Sequence, residues 1–292
     1  MVFINSEGKF NNNSYLIDAQ LYRLKNTLSV YIIENEGLRL MIDAGEKLMV
    51  RKVVQTIKSL GLYPIHKLLL THSHFDHVQG VGKLINSMKD TDIEIMASEN
   101  AIDTLANPEK MNEEWGYIVD PIENVIGLKE GDVIDLNGLR LEILDFFGHS
   151  QDLIAVLDRK NKNIFVGDAI IDKFDHNTVF PEFVSGFNEI EYLKTLNKLN
   201  IYKKELNSIS LGHFGVWKDD DFFKIVESVK NFHFDAKNSI IQWYNENASL
   251  DYIASMYHKK YLPNSELHKN IFGVKVILEW LVEGLKKMGA IN

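Results

Sequence analysis

Between Ser14 and Gly45 short apolar runs alternate with polar turns: YLIDAQLYRL, LSVYIIE and LRLMIDAG, separated by signals such as Asn35-Glu36-Gly37. Alternation of this kind, cut by turn residues, predicts an antiparallel meander. Over residues 47–60 the apolar spacing becomes helical, and Gly61 closes it. Residues 65–70 read as a short buried strand, 81–88 as a helix and 93–97 as a strand. After a polar helical connection come four more β-rich runs, at 139–147, 153–157, 164–166 and 209–211, with a helical pattern over 190–199 between the last two. Strands with interspersed helices predict stacked sheets that carry helices on their outer faces.

From about Lys218 the pattern changes to long helices: DDDFFKIVESVKNF, then SLDYIASMYHKKY with Ser249 as its cap, then SELHKNIFGVKVILEWLVEGLKKMG after the break at Pro263. The expected organisation is a β-rich domain over 1–217 and an α-helical subdomain over 218–292 that docks on it. This tail holds Trp243 and Trp280, and it reads either as a cap over a cleft or as the dimerisation element of a homodimer.

With 292 residues, 45% hydrophobic and 25% charged, the chain has the balance of a globular protein with a sizeable core. A net charge of -9 and a pI near 5.6 run against a nucleic-acid partner, because phosphate binding rests on concentrated Lys and Arg. The stretch MVFINSEGKFNNNSYLIDAQ has no basic region followed by a long apolar one, and nowhere do about 18 apolar residues run without charge. The expectation is a cytoplasmic protein with no membrane partner. There is no cysteine, so a metal site must be built from His, Asp and Glu, which suits Zn, Fe or Mn.

Such donors stand where the strands end. LLLTHSHFDH, residues 68–77, passes from an apolar run into three imidazoles and a carboxylate, a cluster costly to bury unless something pairs with it. ILDFFGHS ends in Gly148-His149, NIFVGDAI in Gly167-Asp168 and SISLGHFG in Gly212-His213. In each, glycine permits a sharp exit and close backbone approach before one metal-competent side chain. A lone strand-end histidine is ordinarily a satisfied surface or core residue. Here four strand ends offer His72, His74, Asp76, His77, His149, Asp168 and His213, which include five of the ten histidines, and the assembled set points to metal. Residues two apart in extended backbone face the same way, so His72 and His74 can grip one ion, while Asp76 and His77, turning into the next helix, suit a second. His149 would complete the first set and His213 the second, with Asp168 able to bridge them.

The series His72-Ser73-His74-Phe75-Asp76-His77, Gly148-His149-Ser150, Gly167-Asp168 and Gly212-His213, with the Ile42-Asp43-Ala44-Gly45 turn before it, resembles the motif series of the metallo-β-lactamase-fold superfamily. The resemblance covers roughly the first 215 residues. It implies an α+β fold, a four-layer αβ/βα sandwich with the metals in a cleft at one edge of the two sheets, here with a C-terminal helical extension. It also implies that 1–217 is the catalytic domain, that the two ligand sets hold two divalent ions, zinc foremost with iron or manganese as alternatives, and that the chemistry is metal-dependent hydrolysis. Asp76 would help move a proton to the leaving group.

The bridging Asp168 and the absence of cysteine argue against a true β-lactamase, and His74 stands where flavodiiron reductases carry Glu. The expected small-molecule substrate is an ester, thioester or lactone, as in the glyoxalase II and lactonase branches. The alternatives are a phosphodiesterase and a mono-iron oxygenase resembling persulfide dioxygenase. For substrate contacts, the segment after Asp168 offers Phe174, Phe180, Phe183 and Phe187 as apolar walls, and His176 as a substrate contact or general acid. Phe214 and Trp217, just after His213, are expected to touch the same pocket.

Overall fold

The computed structural model describes residues 2–171, 180–184, 186–263 and 271–292. Their strands form two seven-stranded sheets. The first takes in order β2 (Gly8–Lys9), β3 (Ser14–Asp18), β4 (Ser29–Asn35), β5 (Leu38–Ile42), β6 (Lys67–Leu70), β7 (Glu94–Ser98) and β8 (Ile126–Leu128). It is antiparallel as far as β5 and parallel from there to β8. The second runs β1 (Val2–Ile4), β14 (Val216–Lys218), β13 (Ser208–Ser210), β12 (Asn163–Phe165), β11 (Ile154–Asp158), β10 (Leu139–Asp145) and β9 (Val133–Leu136). Only its β12–β13 pair is parallel, and the crossover that a parallel pair requires contains α6 (Glu189–Tyr202).

Both sheets are buried on both faces, and strand periodicity decides which core each residue enters. In β4, Tyr31 and Ile33 point between the sheets, where they meet Leu141, Ile143, Val156 and Phe165 of the other sheet. Val30 and Ile32 point the other way, onto α1 (Val50–Ser59) through Val53 and Ile57 and onto α3 (Val81–Asn86) through Leu84. The outer face of the second sheet is covered by α6 together with α7 (Asp219–Glu246), α8 (Leu250–Tyr261) and α9 (Ile271–Lys287), which contribute Leu196, Ile240, Trp243, Tyr257, Leu278 and Leu281 to one core. Helices, sheet, sheet and helices give the expected α+β four-layer sandwich with its C-terminal helices.

The predicted elements appear close to their expected places, with differences. The strands β1, β2, β8, β9 and β14 are not visible in the sequence pattern. The first helix of the tail does not stop near Phe232 but runs 28 residues, because Ile240 and Trp243 continue its buried stripe. Ser249 does occupy the residue before α8, in extended backbone, but its side chain makes no capping hydrogen bond. Among the described residues no helix is long and apolar enough to cross a membrane.

Candidate metal centre

The seven donors converge at one edge of the two sheets. His72 and His74 leave the end of β6, and Asp76 and His77 lie in the short helix α2 (Phe75–Val78), whose preceding residue is His74. His149 follows β10, Asp168 sits in a 3-10 turn after β12, and His213 follows β13. Gly212 makes this convergence sterically possible: a Cβ there would lie 2.2 Å from Asp168 Oδ1. All the donors except His74 are buried.

Three groups of side chains have ligand atoms within 4.8 Å of one another: His72, His74 and His149; His72, His77 and Asp168; and Asp76, His77 and His213. His149 Nε2 and His74 Nδ1 are 3.0 Å apart. Asp168 stands between the sets, with Oδ2 3.6 Å from His149 Nε2, 3.8 Å from His72 Nε2 and 3.1 Å from His213 Nε2, and Oδ1 3.3 Å from His77 Nε2. His213 Nε2 is also 3.3 Å from Asp76 Oδ2.

The far side of each ring is fixed by an acceptor, and that fixes what the near side offers. His77 Nδ1 donates to Asp43 Oδ2 at 2.8 Å, His149 Nδ1 to Glu182 Oε2 at 3.0 Å and His213 Nδ1 to the Thr27 carbonyl at 2.8 Å. His72 Nδ1 lies 3.1 Å from Thr71 Oγ1, whose own proton goes to the Asp43 carboxylate, so this ring also carries its proton outward. Asp43 Oδ1 further accepts the Thr71 backbone N–H at 2.8 Å, and Glu182 Oε1 accepts that of Ile171 at 2.7 Å. Four Nε2 atoms are thereby turned to the centre of the site.

The donor set fits a divalent cation and is poorly satisfied by protein alone. Buried His72 Nε2, His77 Nε2 and Asp168 Oδ1 have no hydrogen-bond partner, a costly condition for polar atoms away from water. Burial, reinforced by the charges of His77 and His74, holds the His72 pKa well below the ordinary range, and burial with the charge of His149 lowers His74 to about 4. Those rings keep lone pairs at neutral pH. At the other set burial also opposes charge, yet Asp168, Asp43 and Asp76 push His77 well above its usual value, and Asp168 with Asp76 raises His213 to about 10. Asp168 in turn is held well below the carboxylate range, burial being outweighed by His213 and His77. The pocket demands positive charge, and nitrogen and oxygen ligands of this kind suit Zn, Fe or Mn.

A cavity of about 350 Å³ opens above the donors, with His74, Asp76, His149, Asp168 and His213 on its floor. Its walls are Leu21 and Tyr22 from the β3–β4 connection, Phe75, Trp115 and Tyr117 on one side, Phe180 and Pro181 on another, and Val276, Ile277, Trp280 and Leu281 of α9 across the top. No Lys or Arg lines it among the described residues.

Of the expected substrate contacts, Phe180 does line the cavity, whereas Phe174 and His176 lie outside the described residues. Phe214 does not reach the cavity: it is buried between the two sheets with Tyr31 and Phe165. Trp217 is on β14, where it packs against Phe3 with ring centroids 4.5 Å apart. The two leave the metal edge on opposite faces of the second sheet, Phe214 into the core between the sheets and Trp217 against the helix-covered core. Phe183 and Phe187 pack against His233 rather than forming cavity walls. Sequence reasoning passes over Glu182, which no motif marks, and Thr27, which acts through its carbonyl and so leaves no side-chain signal. Asp43 is visible in the Ile42–Gly45 turn, but nothing in the sequence assigns it a partner.

The comparisons with known proteins agree with this geometry. A chicken (Gallus gallus) acyl-coenzyme A thioesterase is 27% identical over 176 residues, 54% of this chain and 63% of the relative, so the chain spans under two thirds of that protein's length. A hydroxyacylglutathione hydrolase from Haemophilus influenzae is 28% identical over 158 residues, covering 51% of this chain and 69% of the relative. Among solved structures, a metallo-beta-lactamase family protein from Thermus thermophilus superposes with a TM-score of 0.67 at 20% identity, covering 96% of this chain and 95% of that one. The family model described as the metallo-beta-lactamase superfamily matches residues 27–213, the stretch that carries every one of the seven donors. The chain belongs to the metallo-beta-lactamase superfamily.

Proposed function

We propose that the protein is a metal-dependent hydrolase that holds two divalent cations and cleaves an ester, thioester or lactone. The observation that carries this reading is the convergence of two imidazole sets on one carboxylate beneath a roofed apolar cavity. His72, His74 and His149 would hold one cation, Asp76, His77 and His213 the other, and Asp168 both. Bound there, the cations supply Lewis acidity, lowering the pKa of water toward neutrality and polarising the carbonyl to be attacked.

The chain's own residues do the rest. Asp43 and Glu182 hold the imidazoles in the tautomer that faces Nε2 inward, and the aromatic walls keep bulk water from the attacked carbonyl. Asp76 lies on the cavity floor, with Oδ2 3.3 Å from His213 Nε2. As a carboxylate beside the reacting carbonyl, it would take a proton and pass it to a departing alkoxide or thiolate. The similarity to a thioesterase and to a hydroxyacylglutathione hydrolase supports the choice of substrate class. Zinc is the favoured metal, with iron or manganese as alternatives.

The test is elemental analysis of protein purified without added metal, paired with thioester, lactone and phosphodiester substrates and an oxygen electrode. Two equivalents of metal and acyl cleavage are expected. One equivalent of iron with oxygen consumption, or cleavage of the phosphodiester alone, refutes the proposal.

A further inference from the structure

Resting on that hydrolase reading, we infer that the cavity is an acyl-chain pocket whose roof is α9, and that Trp280 is the residue that sets how long a chain it accepts. Apart from the metal donors on its floor, the cavity presents almost wholly apolar and aromatic surface, and among the described residues it has no cationic side chain. Above the metal donors, a phosphate-bearing or otherwise charged leaving group would find no cationic side chain among the described wall residues to offset its desolvation cost. Such a group must lie toward solvent, which leaves the acyl half to enter the cavity.

The aromatic surface runs without interruption from the metal donors to the roof. The Trp115 ring is 5.1 Å from His74 and 5.2 Å from Trp280, in an edge-on contact with the latter. A chain whose carbonyl sits over His74 and His149 therefore lies along Trp115 and ends at Trp280. The roof is also firmly placed. Gly284 sits so close to the backbone of Phe183 that a Cβ would lie 2.1 Å from its carbonyl oxygen, and Lys287 pairs with Glu114, the neighbour of Trp115, at 2.6 Å. Trp280 itself is half-buried, so removing its ring enlarges the pocket without dismantling the core.

The experiment measures binding of straight-chain carboxylates, from butanoate to dodecanoate, by calorimetry to metal-loaded wild type, Trp280→Ala and Trp280→Phe, alongside turnover of the matching acyl thioesters. In the wild type, affinity should rise about fourfold per added methylene, the equivalent of ~0.8 kcal/mol per buried CH2, until a length at which it levels off. Trp280→Ala should move that plateau to longer chains, and Trp280→Phe should fall between. Affinity independent of chain length, or a uniform change at every length in Trp280→Ala, overturns the inference. If Trp280→Ala does not fold, the wild-type series and Trp280→Phe decide the matter by the same criteria. The two readings fail separately: chain-dependent binding without thioester turnover sinks the hydrolase proposal and leaves the pocket, whereas turnover indifferent to chain length does the reverse.

Discussion

Replacing Asp43 by Asn tests whether the second metal set depends on a partner that is not itself a ligand. The backbone tolerates the change, since Asp43 has φ 62° and Asn enters the left-handed region about as readily as Asp. The hydrogen bonding does not tolerate it. The carboxylate accepts from Thr71 N at 2.8 Å through Oδ1 and from His77 Nδ1 at 2.8 Å through Oδ2. An amide has one oxygen to offer. If it faces Thr71, the NH2 group meets His77 Nδ1, which must then surrender its proton to Nε2 and lose the lone pair aimed at the site. If it faces His77, two donors oppose each other at Thr71, an unsatisfied buried group costing about 1–3 kcal/mol. Loss of such a supporting partner weakens metal binding about 10–100-fold, or about 1.4–2.8 kcal/mol at 1.4 kcal/mol per tenfold. Titration of the metal-free variant with zinc against a chelator should therefore show one equivalent bound as in the wild type and one weakened by that factor. Two equivalents of wild-type affinity would falsify the account, as would a joint loss of both in a protein that still melts normally.

Two further outcomes follow from parts of the molecule away from the ligands. His233 is buried on α7 with Nε2 2.9 Å from Glu189 Oε1, among the rings of Phe183, Phe187 and Tyr192 and beside Lys237. Burial, helped by the charge of Lys237, holds its pKa below the usual value against the pull of Glu189, so the unfolded chain binds this proton first. Stability should then fall as pH drops below the ordinary histidine pKa of about 6.5, and thermal melts from neutral to mildly acid pH should show a shallower decline in His233→Gln; equal slopes would remove His233 from the explanation. Gly284→Ala should lower the melting temperature by an amount equivalent to about 1–3 kcal/mol through overpacking against Phe183, and quench or shift the tryptophan fluorescence contributed by Trp115 and Trp280; an unchanged melt would mean that α9 can slide without penalty.

What the sequence reveals and what it hides have separable causes. The meander, α1, β6 and the tail helices are legible because each carries a local periodicity that its burial then realises, as Val30, Tyr31, Ile32 and Ile33 do by alternating between two cores. The strand β1 cannot be read that way: it has three residues, and its partner β14 is more than two hundred positions distant, at Val2 opposite Lys218. No local pattern encodes such a pairing. The donors are legible because glycine followed by His or Asp recurs at strand ends. Their supports are not, since a buried Glu182 or the carbonyl of Thr27 looks in the sequence like any loop residue. Phe214 and Trp217 show the converse error, for nearness along the chain to His213 does not survive the bend that follows it, which sends Phe214 between the sheets and Trp217 to the opposite face against Phe3.

The donors are divided between the sheets, four following β6 of the first and three following strands of the second. This has a bearing on how the protein is made. During synthesis the first four emerge well before His149, and His213 emerges last of the seven, 136 residues after His77. On the proposed assignment a fragment ending before His149 completes neither ligand set and one ending before His213 completes only the first, so the nascent chain could gather its whole donor cluster only once its two halves have closed upon each other. On the proposed reading, metal uptake would be a late event that reports, and then locks, the successful meeting of those halves.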